Sequence, residues 1–528
     1  MPEAPQELSL SQARSMQIPH RWPLVNTLDS RDGSFFKDAR LVNAYAEKNK
    51  LTNEYEIEKR PGFNPVPIVS SFIEPRGHGL PPVPSSSAVG QGLFTYEYVQ
   101  LFGSAPYVGK NYLTLFIASG GVYFILTDSL GGTSGITYLT TPTVSYATGN
   151  RFQFLGIPTS PPTIMFGGDN TTAASSSRVY VFQNGNVITL VGGDSSGFPS
   201  NTVPGFVYLN GYVYAMDYSG KIWETTNQNQ VTGVGSWSPL DFITAASDAD
   251  VAVQLARQLV YVVAIKTWTT QFYYDAGNSF GSSLSPLPGA LYNFGCISAD
   301  TFCDLDGVLF WATQSKVGTS RVVMVENLNA KFISTPAIER ALDLDQGGSF
   351  YSLAYQHAGH RFYVLTNVTT NVTMVYDISE QLWYLWTDYN GNYYPVVARA
   401  GPASIEWHQM VSGNIYQMQP DYVYPNDFGN LVPVDIYTPN FDAGVDREKF
   451  LSQMRFNADQ TRGSKLKIRS SDDDYQSWTN PRSIDLSIKR PILNDEGSFY
   501  RRAYHLRHFA NTALRIKSID LQMDIGVL

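Results

Sequence analysis

Residues 205–226 read GFVYLNGYVYAMDYSGKIWETT, three short runs of aromatic and β-branched residues separated by Asn210-Gly211 and Ser219-Gly220. Alternation with a period of two is typical of a half-buried strand, and Asn-Gly between two such runs predicts a tight hairpin turn. Similar hairpin units recur roughly every 40 to 50 residues between 93 and 440, which is the spacing of propeller blades. The sequence therefore predicts an all-β fold whose body is an irregular propeller of roughly six blades.

Helical periodicity is scarce in this sequence. Two stretches only have a pattern that favours a turn or two of helix: SDADVAVQLAR at 247–257 and TPAIERALDLD at 335–345. We predict short helices there and strands elsewhere in the propeller region.

The composition excludes several classes of protein. Of the 528 residues, 43% are hydrophobic and only 16% are charged, against about 25% charged in an average soluble domain. The two cysteines, Cys296 and Cys303, are too few for a disulfide framework, and no apolar run reaches the length of a membrane span. We expect a large protein without a secretion signal, made in a reducing compartment, that needs no cofactor or metal.

The net charge of −9 is unevenly distributed along the chain. Residues 445–528 contain 15 basic and 11 acidic side chains, so the remainder carries a net charge of −13. An acidic body argues against simple phosphate-driven binding of nucleic acid, which needs clustered cations. We predict four regions, listed here: an N-terminal segment at 1–73, a Pro/Gly/Ser-rich loop at 74–92, the propeller at 93–440 and a basic C-terminal β module at 441–528. The first and last would form a second β domain, the platform.

A turn motif in the C-terminal module supports the β assignment. The run SDDDYQSW at 471–478 resembles the Asp-box, S-x-D-x-G-x-T-W, in which Ser and Asp side chains bond the backbone of a hairpin and the Trp packs beneath it. Ser471, Asp473 and Trp478 match the motif, and Tyr475 stands where the box has Gly. These residues are predicted to lock a turn rather than to catalyse.

An enzymatic alternative remains open, because Asp-boxes are common in sialidases. A propeller glycosidase or polysaccharide depolymerase would need paired carboxylates, or a Tyr nucleophile with an Arg cluster, in one pocket. The string GNSFG at 277–281 also matches a nucleophile elbow, but SSLSPLPGAL follows it and cannot begin the required helix. Glycan binding by a tail protein and a monomeric cytosolic propeller scaffold are the non-enzymatic alternatives.

Both ends of the chain resemble one family. The run LVNAYAE at 41–47 followed by KRPGF at 59–63 resembles the opening "N-x-Y-x-E … K-R-P-G" of the tail nozzle proteins of short-tailed bacteriophages, also called tail hub or packaged-DNA stabilisation proteins. The C-terminal hairpin with Trp478, the run Asn480-Pro481-Arg482 and the later Tyr500-Arg501-Arg502 are similar to the ending of the same family. The family's Leu-Gly step is absent, since His508 follows Arg507.

The resemblance implies a non-enzymatic structural protein of the virion tail. It implies a ring, expected to be a hexamer, below the portal and adaptor rings, which retains packaged DNA and forms the channel for its ejection without sequence-specific binding. Tail fibres or tailspikes and a plugging needle are the further partners that it implies.

Six residues are the candidates for ring and adaptor contacts. Arginine and aromatic side chains are enriched at protein interfaces. The candidates are Arg21 and, within the runs that resemble the family, Arg60, Phe63, Arg501, Arg502 and Arg507. Salt bridging within the core is the alternative role for the arginines.

Overall fold

The computed structural model describes residues 20–25, 28, 30, 32–35, 37–50, 53–65, 89–102, 107–127, 137–139, 151–159, 162–169, 178–245, 248–278, 280–345, 347–402 and 405–526. Most of the predicted loop at 74–92 and Ser279 of the GNSFG string lie outside these residues. The chain divides into two compact units. The propeller unit takes its residues from Phe63–Val375 and Tyr393–Gln419, and the platform unit from Met1–Gly62, Tyr376–Asn392 and Pro420–Leu528.

The propeller unit contains seven antiparallel sheets among its described residues, which we number as blades in chain order. Their strands are, for blade 1, Gly90–Phe102, Tyr107–Ala118, Gly121–Thr127 and Thr137–Leu139; for blade 2, Gln153–Ile157, Thr163–Gly167, Arg178–Gln183 and Asn186–Val191; for blade 3, Thr202–Leu209, Tyr212–Asp217, Lys221–Thr225 and Trp237–Thr244; for blade 4, Ala252–Gln258, Tyr261–Lys266, Thr270–Asp275 and Leu284–Tyr292; for blade 5, Cys303–Leu305, Val308–Thr313, Arg321–Glu326 and Asn329–Phe332; for blade 6, Phe350–His357, His360–Asn367 and Val372–Asp377; and for blade 7, Val396–Ala400, Trp407–Met410 and Ile415–Gln419 with the distant Gly62–Pro65.

The hairpins form where the turn dipeptides predict them. At Asn184-Gly185, Asn210-Gly211 and Asp306-Gly307 both residues have positive φ, the geometry of a type I′ turn. The flanking residues pair in register, for example Leu209 with Tyr212. Because each turn fixes which residues face each other, it also fixes which face of each strand is buried.

The blades close into a ring. The first strands of most neighbouring blades pack side by side, and the first strand of blade 7 packs on that of blade 1. Apolar clusters fill the spaces between blades, such as the cluster of Val263, Leu309 and Trp311 between blades 4 and 5. The predicted all-β propeller is thus confirmed, with seven blades among the described residues where the sequence predicts roughly six. The last blade takes its fourth strand from Gly62–Pro65, far from the hairpins of the body.

One predicted helix is present and the other is wrong. Pro336–Asp343 is an α-helix with Pro at its first position and four buried apolar residues, as the pattern at 335–345 predicts. The stretch 247–257 contains no helix in its described part; Ala252–Gln258 is the innermost strand of blade 4 and pairs with Tyr261–Lys266. Tertiary pairing outweighs the weak local propensity there. The remaining described helix is a 3₁₀ turn at Ala299–Thr301.

Two sheets form the platform unit. The first joins Ala44–Lys48, Tyr55–Lys59, Arg515–Ile525, Lys449–Ala458 and Ile492–Phe499, with His20–Arg21 paired to Arg515–Ile525. The second orders Leu382–Leu385, Arg40–Val42, Val434–Tyr437, Ala503–His508, Lys465–Ser471 and Arg482–Asp485. A small hairpin pairs Asn426–Asp427 with Asn430–Leu431.

The apolar core of the platform unit lies between its two sheets. Burial alternates along the strands, as in the pattern of Lys465–Ser471, which is expected where one face of a sheet is covered. The Trp22 ring, next to the first sheet, has its centroid 4.7 Å from that of Tyr504 on the second sheet and 4.7 Å from that of Phe441. N-terminal and C-terminal segments therefore share one sandwich core.

Candidate functional site

Arg60 holds distant segments of the platform unit together. Its side chain is 1% exposed and forms a bidentate ion pair with Asp427, with Nη2–Oδ2 and Nη1–Oδ1 distances of 2.6 and 3.1 Å. Its Nε donates to Asn43 Oδ1 at 2.9 Å, and its remaining donors reach the carbonyls of Pro61 and Thr387. In the isolated unit the Arg60 guanidinium therefore forms a salt bridge within the core, which is the alternative role that the sequence left open for the candidate arginines.

Phe63, the next candidate, is equally buried but lies in the propeller unit. It is 1% exposed, and its ring centroid lies 5.7 Å from that of Tyr394 and 5.3 Å from that of His408. The KRPGF run thus places its Arg and its Phe in the cores of different units. Neither side chain offers surface to a partner in the isolated chain.

The adjacent Arg501 and Arg502 have opposite environments. Arg502 is 5% exposed, and its Nε and Nη2 donate to Asp472 at 2.6 and 2.8 Å while Nη1 donates to the Glu496 carbonyl. The side chain of Arg501 is 54% exposed and approaches Asp474 at 3.4 Å. Because Arg502 is buried and Arg501 is exposed, only Arg501 can meet a partner without unfolding.

Two further candidates are exposed on the platform unit. Arg21, half-exposed, pairs with Glu54 and, at 3.2 Å, with Asp520. Arg507, 47% exposed, lies 3.8 Å from Asp435. Arg21, Arg501 and Arg507 are therefore the candidate residues that a partner could reach.

The Asp-box-like turn has the hydrogen bonds that the motif predicts. Ser471 Oγ donates to Asp473 Oδ1 at 2.8 Å and accepts from the Tyr475 amide at 3.1 Å, and the Ser477 amide donates to Asp473. Hydrogen bonds from Ser477 and Ser471 lower the pKa of Asp473 to about 2. Tyr475 has a φ of +64°, the left-handed conformation for which the motif uses Gly.

Trp478 packs under this turn, 6.0 Å from the Tyr475 ring and 5.6 Å from the His505 ring. The Tyr475 hydroxyl donates to the Thr438 carbonyl at 2.8 Å. The contacts of the turn are with its own unit, which agrees with a structural role for the motif.

Side chains cross the axis of the propeller. Arg151 begins blade 2, and its Nη2 donates to the Ser352 carbonyl of blade 6 at 2.9 Å. Gln153 of blade 2 exchanges hydrogen bonds of 2.9 and 2.6 Å with Gln254 of blade 4. A cavity of about 280 Å³ remains at this end, lined by residues that include Arg151, Asp169 and Asp300. Burial raises the pKa of Asp300, and Arg151 opposes that rise.

The cavity meets only part of the requirement for a glycosidase. Its described lining has two carboxylates, Asp169 and Asp300, but a single arginine, Arg151, whose Nη1 and Nη2 each donate to a backbone carbonyl. Among the described residues, no group of three or more His, Cys, Asp or Glu side chains is placed to hold a metal ion. No described helix is long and apolar enough to cross a membrane.

The structure also shows a row of exposed cations on the platform unit that the sequence analysis did not predict. Lys467 and Arg469 are exposed and lie on the strand next to that of Arg507. The signal that could have found them is the run KLKIR at 465–469, in which every second residue is a cation. A count of charges over the whole module hides this alternation.

The geometry defines a β-propeller protein with a separate β-sandwich unit. Residues 143–397 match the family model for phage stabilisation proteins, described as bacteriophage P22 Gp10, beta-propeller. The resemblance to packaged-DNA stabilisation proteins of short-tailed phages is thereby confirmed over those residues, which include blades 2–6.

No curated protein sequence matches the chain. Solved structures that resemble it include YCF48 from Cyanidioschyzon merolae, at 11% identity and a TM-score of 0.36 over 63% of this chain and 96% of that one. The Pan2 WD40 domain of Neurospora crassa has 10% identity and a TM-score of 0.36 over 68% and 94% of the two chains. Likenesses this distant carry no argument about function.

Proposed function

We propose that this chain is a structural protein of a phage virion tail that assembles into a nozzle or hub ring below the portal and adaptor rings. In this role it retains packaged DNA and forms part of the channel through which the DNA is ejected. The observation that carries the proposal is the family match over residues 143–397, together with the matching motifs at both ends of the chain.

The axis of the propeller supports a particular form of this proposal. Arg151 and the Gln153–Gln254 pair join blades across the axis, and the cavity left there is about 280 Å³, near the lower end of small-molecule pockets. Duplex DNA cannot pass through such a space. We therefore propose that the DNA channel lies between subunits of a ring, expected to be a hexamer, and not inside one propeller.

The platform unit is the proposed docking region for the adaptor or portal ring, and the exposed Arg21, Arg501 and Arg507 are its proposed contact residues. Arginine suits such contacts because its planar donors bind carboxylates bidentately. The buried Arg60, Phe63 and Arg502 would act indirectly, because they stabilise the fold on which the exposed contact residues lie. The other proposed partners are a tail fibre or tailspike and a plugging needle.

Mass photometry of the purified chain, alone and mixed with an adaptor ring, tests the proposal. We expect a species near six times 58.6 kDa, or assembly that appears only on mixing. A chain that stays monomeric in both samples overturns the ring. Incubation with host surface glycan is the second arm, because release of sugar would favour the glycosidase alternative, to be checked with Asp300→Asn in the axial cavity.

A further inference from the structure

The outer face of the second platform sheet carries a row of cations. Along Lys465–Ser471 exposed and buried residues alternate, so that Lys465, Lys467 and Arg469 face outward while Leu466 and Ile468 face the core. Residues two apart on a strand are about 6.8 Å apart. The three charges thus form a straight row along one face.

The neighbouring strand adds a fourth cation at an unfavourable place. In the antiparallel register Lys467 stands directly opposite Arg507. Like charges that face each other across a sheet destabilise it. On its other side Arg507 faces Asp435, whereas Lys467 faces the uncharged Ser483, so a partner that supplies negative charge to Lys467 would relieve the repulsion.

Several other arginines of the same unit have carboxylate partners, unlike Lys467 and Arg469. Arg515 pairs with Glu56 at 2.6 Å and with Glu58 at 3.3 Å, and Arg60 and Arg502 have bidentate partners. Lys467 and Arg469 make no ion pair with any residue that the structure describes. Among the described residues, Lys467 and Arg469 are therefore the part of the row without a paired carboxylate, whereas Arg507 lies 3.8 Å from Asp435 and Lys465 faces Asp485.

We propose that the row Lys465, Lys467, Arg469 and Arg507 docks an acidic protein surface. This inference deepens the proposed assembly role and rests on it, because the partner would be another virion protein. Two carboxylates flank the cations: Asp485 faces Lys465 across the sheet, and Asp435 lies near Arg507. They would repel a uniform line of phosphates, whereas a protein surface of mixed charge can complement them.

An aromatic side chain at the end of the row also favours a protein partner. Phe509 is 51% exposed, and the Arg507 guanidinium lies 5.7 Å from its ring centroid. An exposed aromatic beside arginine is the composition of protein interfaces. Duplex DNA offers no apolar contact at its phosphate backbone that such a ring could use.

Binding of defined probes by the full chain tests this proposal. The probes are a labelled peptide of alternating Glu and Thr, the same peptide with Gln for Glu, and a short mixed-sequence DNA duplex, measured by fluorescence anisotropy over a range of salt. Lys467→Glu/Arg469→Glu removes the row, and Arg455→Glu/Lys489→Glu, two exposed cations of the same unit outside it, is the matched control.

We expect the chain to bind the Glu peptide and not the Gln peptide, with affinity that falls as salt rises. The row variant should bind at least about tenfold more weakly, which corresponds to about 1.4 kcal/mol, while the control variant binds like the unchanged chain. Lys467→Gln/Arg469→Gln, a milder change, should show an intermediate loss. Equal binding by row and control variants overturns the proposal, and so does tighter binding of the duplex that depends on the row, which would make DNA the partner.

Mass photometry of the same samples separates the two hypotheses. A chain that forms the ring but ignores the Glu peptide would contradict only the acidic docking surface. A chain that binds the peptide through the row but never assembles would retain the docking surface and contradict the ring.

Discussion

The propeller and platform units are both built from β-sheets, but the strands that pair in them differ in how far apart they lie along the chain. Most blades take consecutive strands from a single stretch of chain, whereas the platform joins segments from 20–62, 376–392 and 420–526. Short turns close the blades, while a buried ion pair and an aromatic cluster close the platform. Local turns make a fold readable from sequence, and long-range side-chain contacts make it vulnerable to single substitutions.

Charged residues of the platform unit also come from distant segments of the chain. The platform unit contains 24 basic and 27 acidic residues, and the propeller unit contains 13 and 19. The basic C-terminal segment thus folds with acidic segments from elsewhere in the chain, as Arg515 does with Glu56. Charge along the sequence is a poor guide to charge on the surface wherever distant segments pair.

The largest effect is expected at the buried pair of the platform. Arg60→Met leaves Asp427 buried without its cation, and removal of one partner of such a pair costs about 3–5 kcal/mol. The free energy of unfolding in guanidinium chloride should fall by about 4 kcal/mol, and hydrogen exchange should rise in segments around Asn43, Thr387 and Asp427, which Arg60 contacts.

The exposed Arg455→Met is the control for this substitution and should change the free energy of unfolding by less than about 0.5 kcal/mol. If Arg60→Met costs as little as the control, the ion pair does not hold the distant segments together.

A core substitution in the propeller sharpens the contrast. Leu309 is fully buried between blades 4 and 5, and Leu309→Ala should lower the free energy of unfolding by about 3 kcal/mol through lost contacts and a cavity. Because its neighbours belong to adjacent blades, hydrogen exchange should rise within residues 252–332 only. Exchange that rises equally in all blades would contradict the view of the propeller as a series of local units.

Sequence patterns predicted the blades because their information is local. An Asn-Gly or Asp-Gly turn with its flanking alternation sets the register within a dozen residues, as at Asn210-Gly211. The fourth strand of the seventh blade, Gly62–Pro65, was not predicted because it reaches its sheet from a distant part of the chain. The strand Ala252–Gln258 was mistaken for helix because its apolar residues fit both periods.

The candidate contact residues were harder to place for a physical reason. The sequence identifies arginines as candidate interface residues, but only the fold shows whether an arginine is paired with a carboxylate in the core. Arg60 meets Asp427 and Arg502 meets Asp472, while Arg501 stays exposed. The row of Lys467 and Arg469 was within reach of sequence analysis, since its alternation is local.

Buried histidines should make both units sensitive to acid. Burial, and then Arg399 and His357, lower the pKa of His408 in the propeller to about 3, and burial, then Lys59, lowers that of His508 in the platform to about 3. An unfolded histidine binds a proton below about pH 6.5, whereas these two stay neutral while folded. Stability is therefore fully present above pH 6.5 and is lost as the pH falls towards 3.

The measurement is the free energy of unfolding at a series of pH values between 7 and 4.5. Each histidine should contribute a decrease of about 1.4 kcal/mol for each pH unit below about 6. His408→Phe should remove its share of the slope, since the site is already lined by the rings of Phe63 and Tyr355. An unchanged slope in that variant would show that His408 already titrates normally in the fold.

The smallest effect is expected at the Asp-box-like turn, an element of the platform unit that is closed by local hydrogen bonds. Ser471 Oγ is buried and joins Asp473 to the Tyr475 amide, so Ser471→Ala leaves a buried amide without its acceptor and should cost about 1 kcal/mol. Hydrogen exchange should rise at 473–477 only, because the bonds are confined to the turn. Ser471→Thr, which keeps the hydroxyl, is the matched control. If exchange also rose around Thr438, which accepts from the Tyr475 hydroxyl, the turn would be one of the long-range contacts that close the platform rather than a local element set into it.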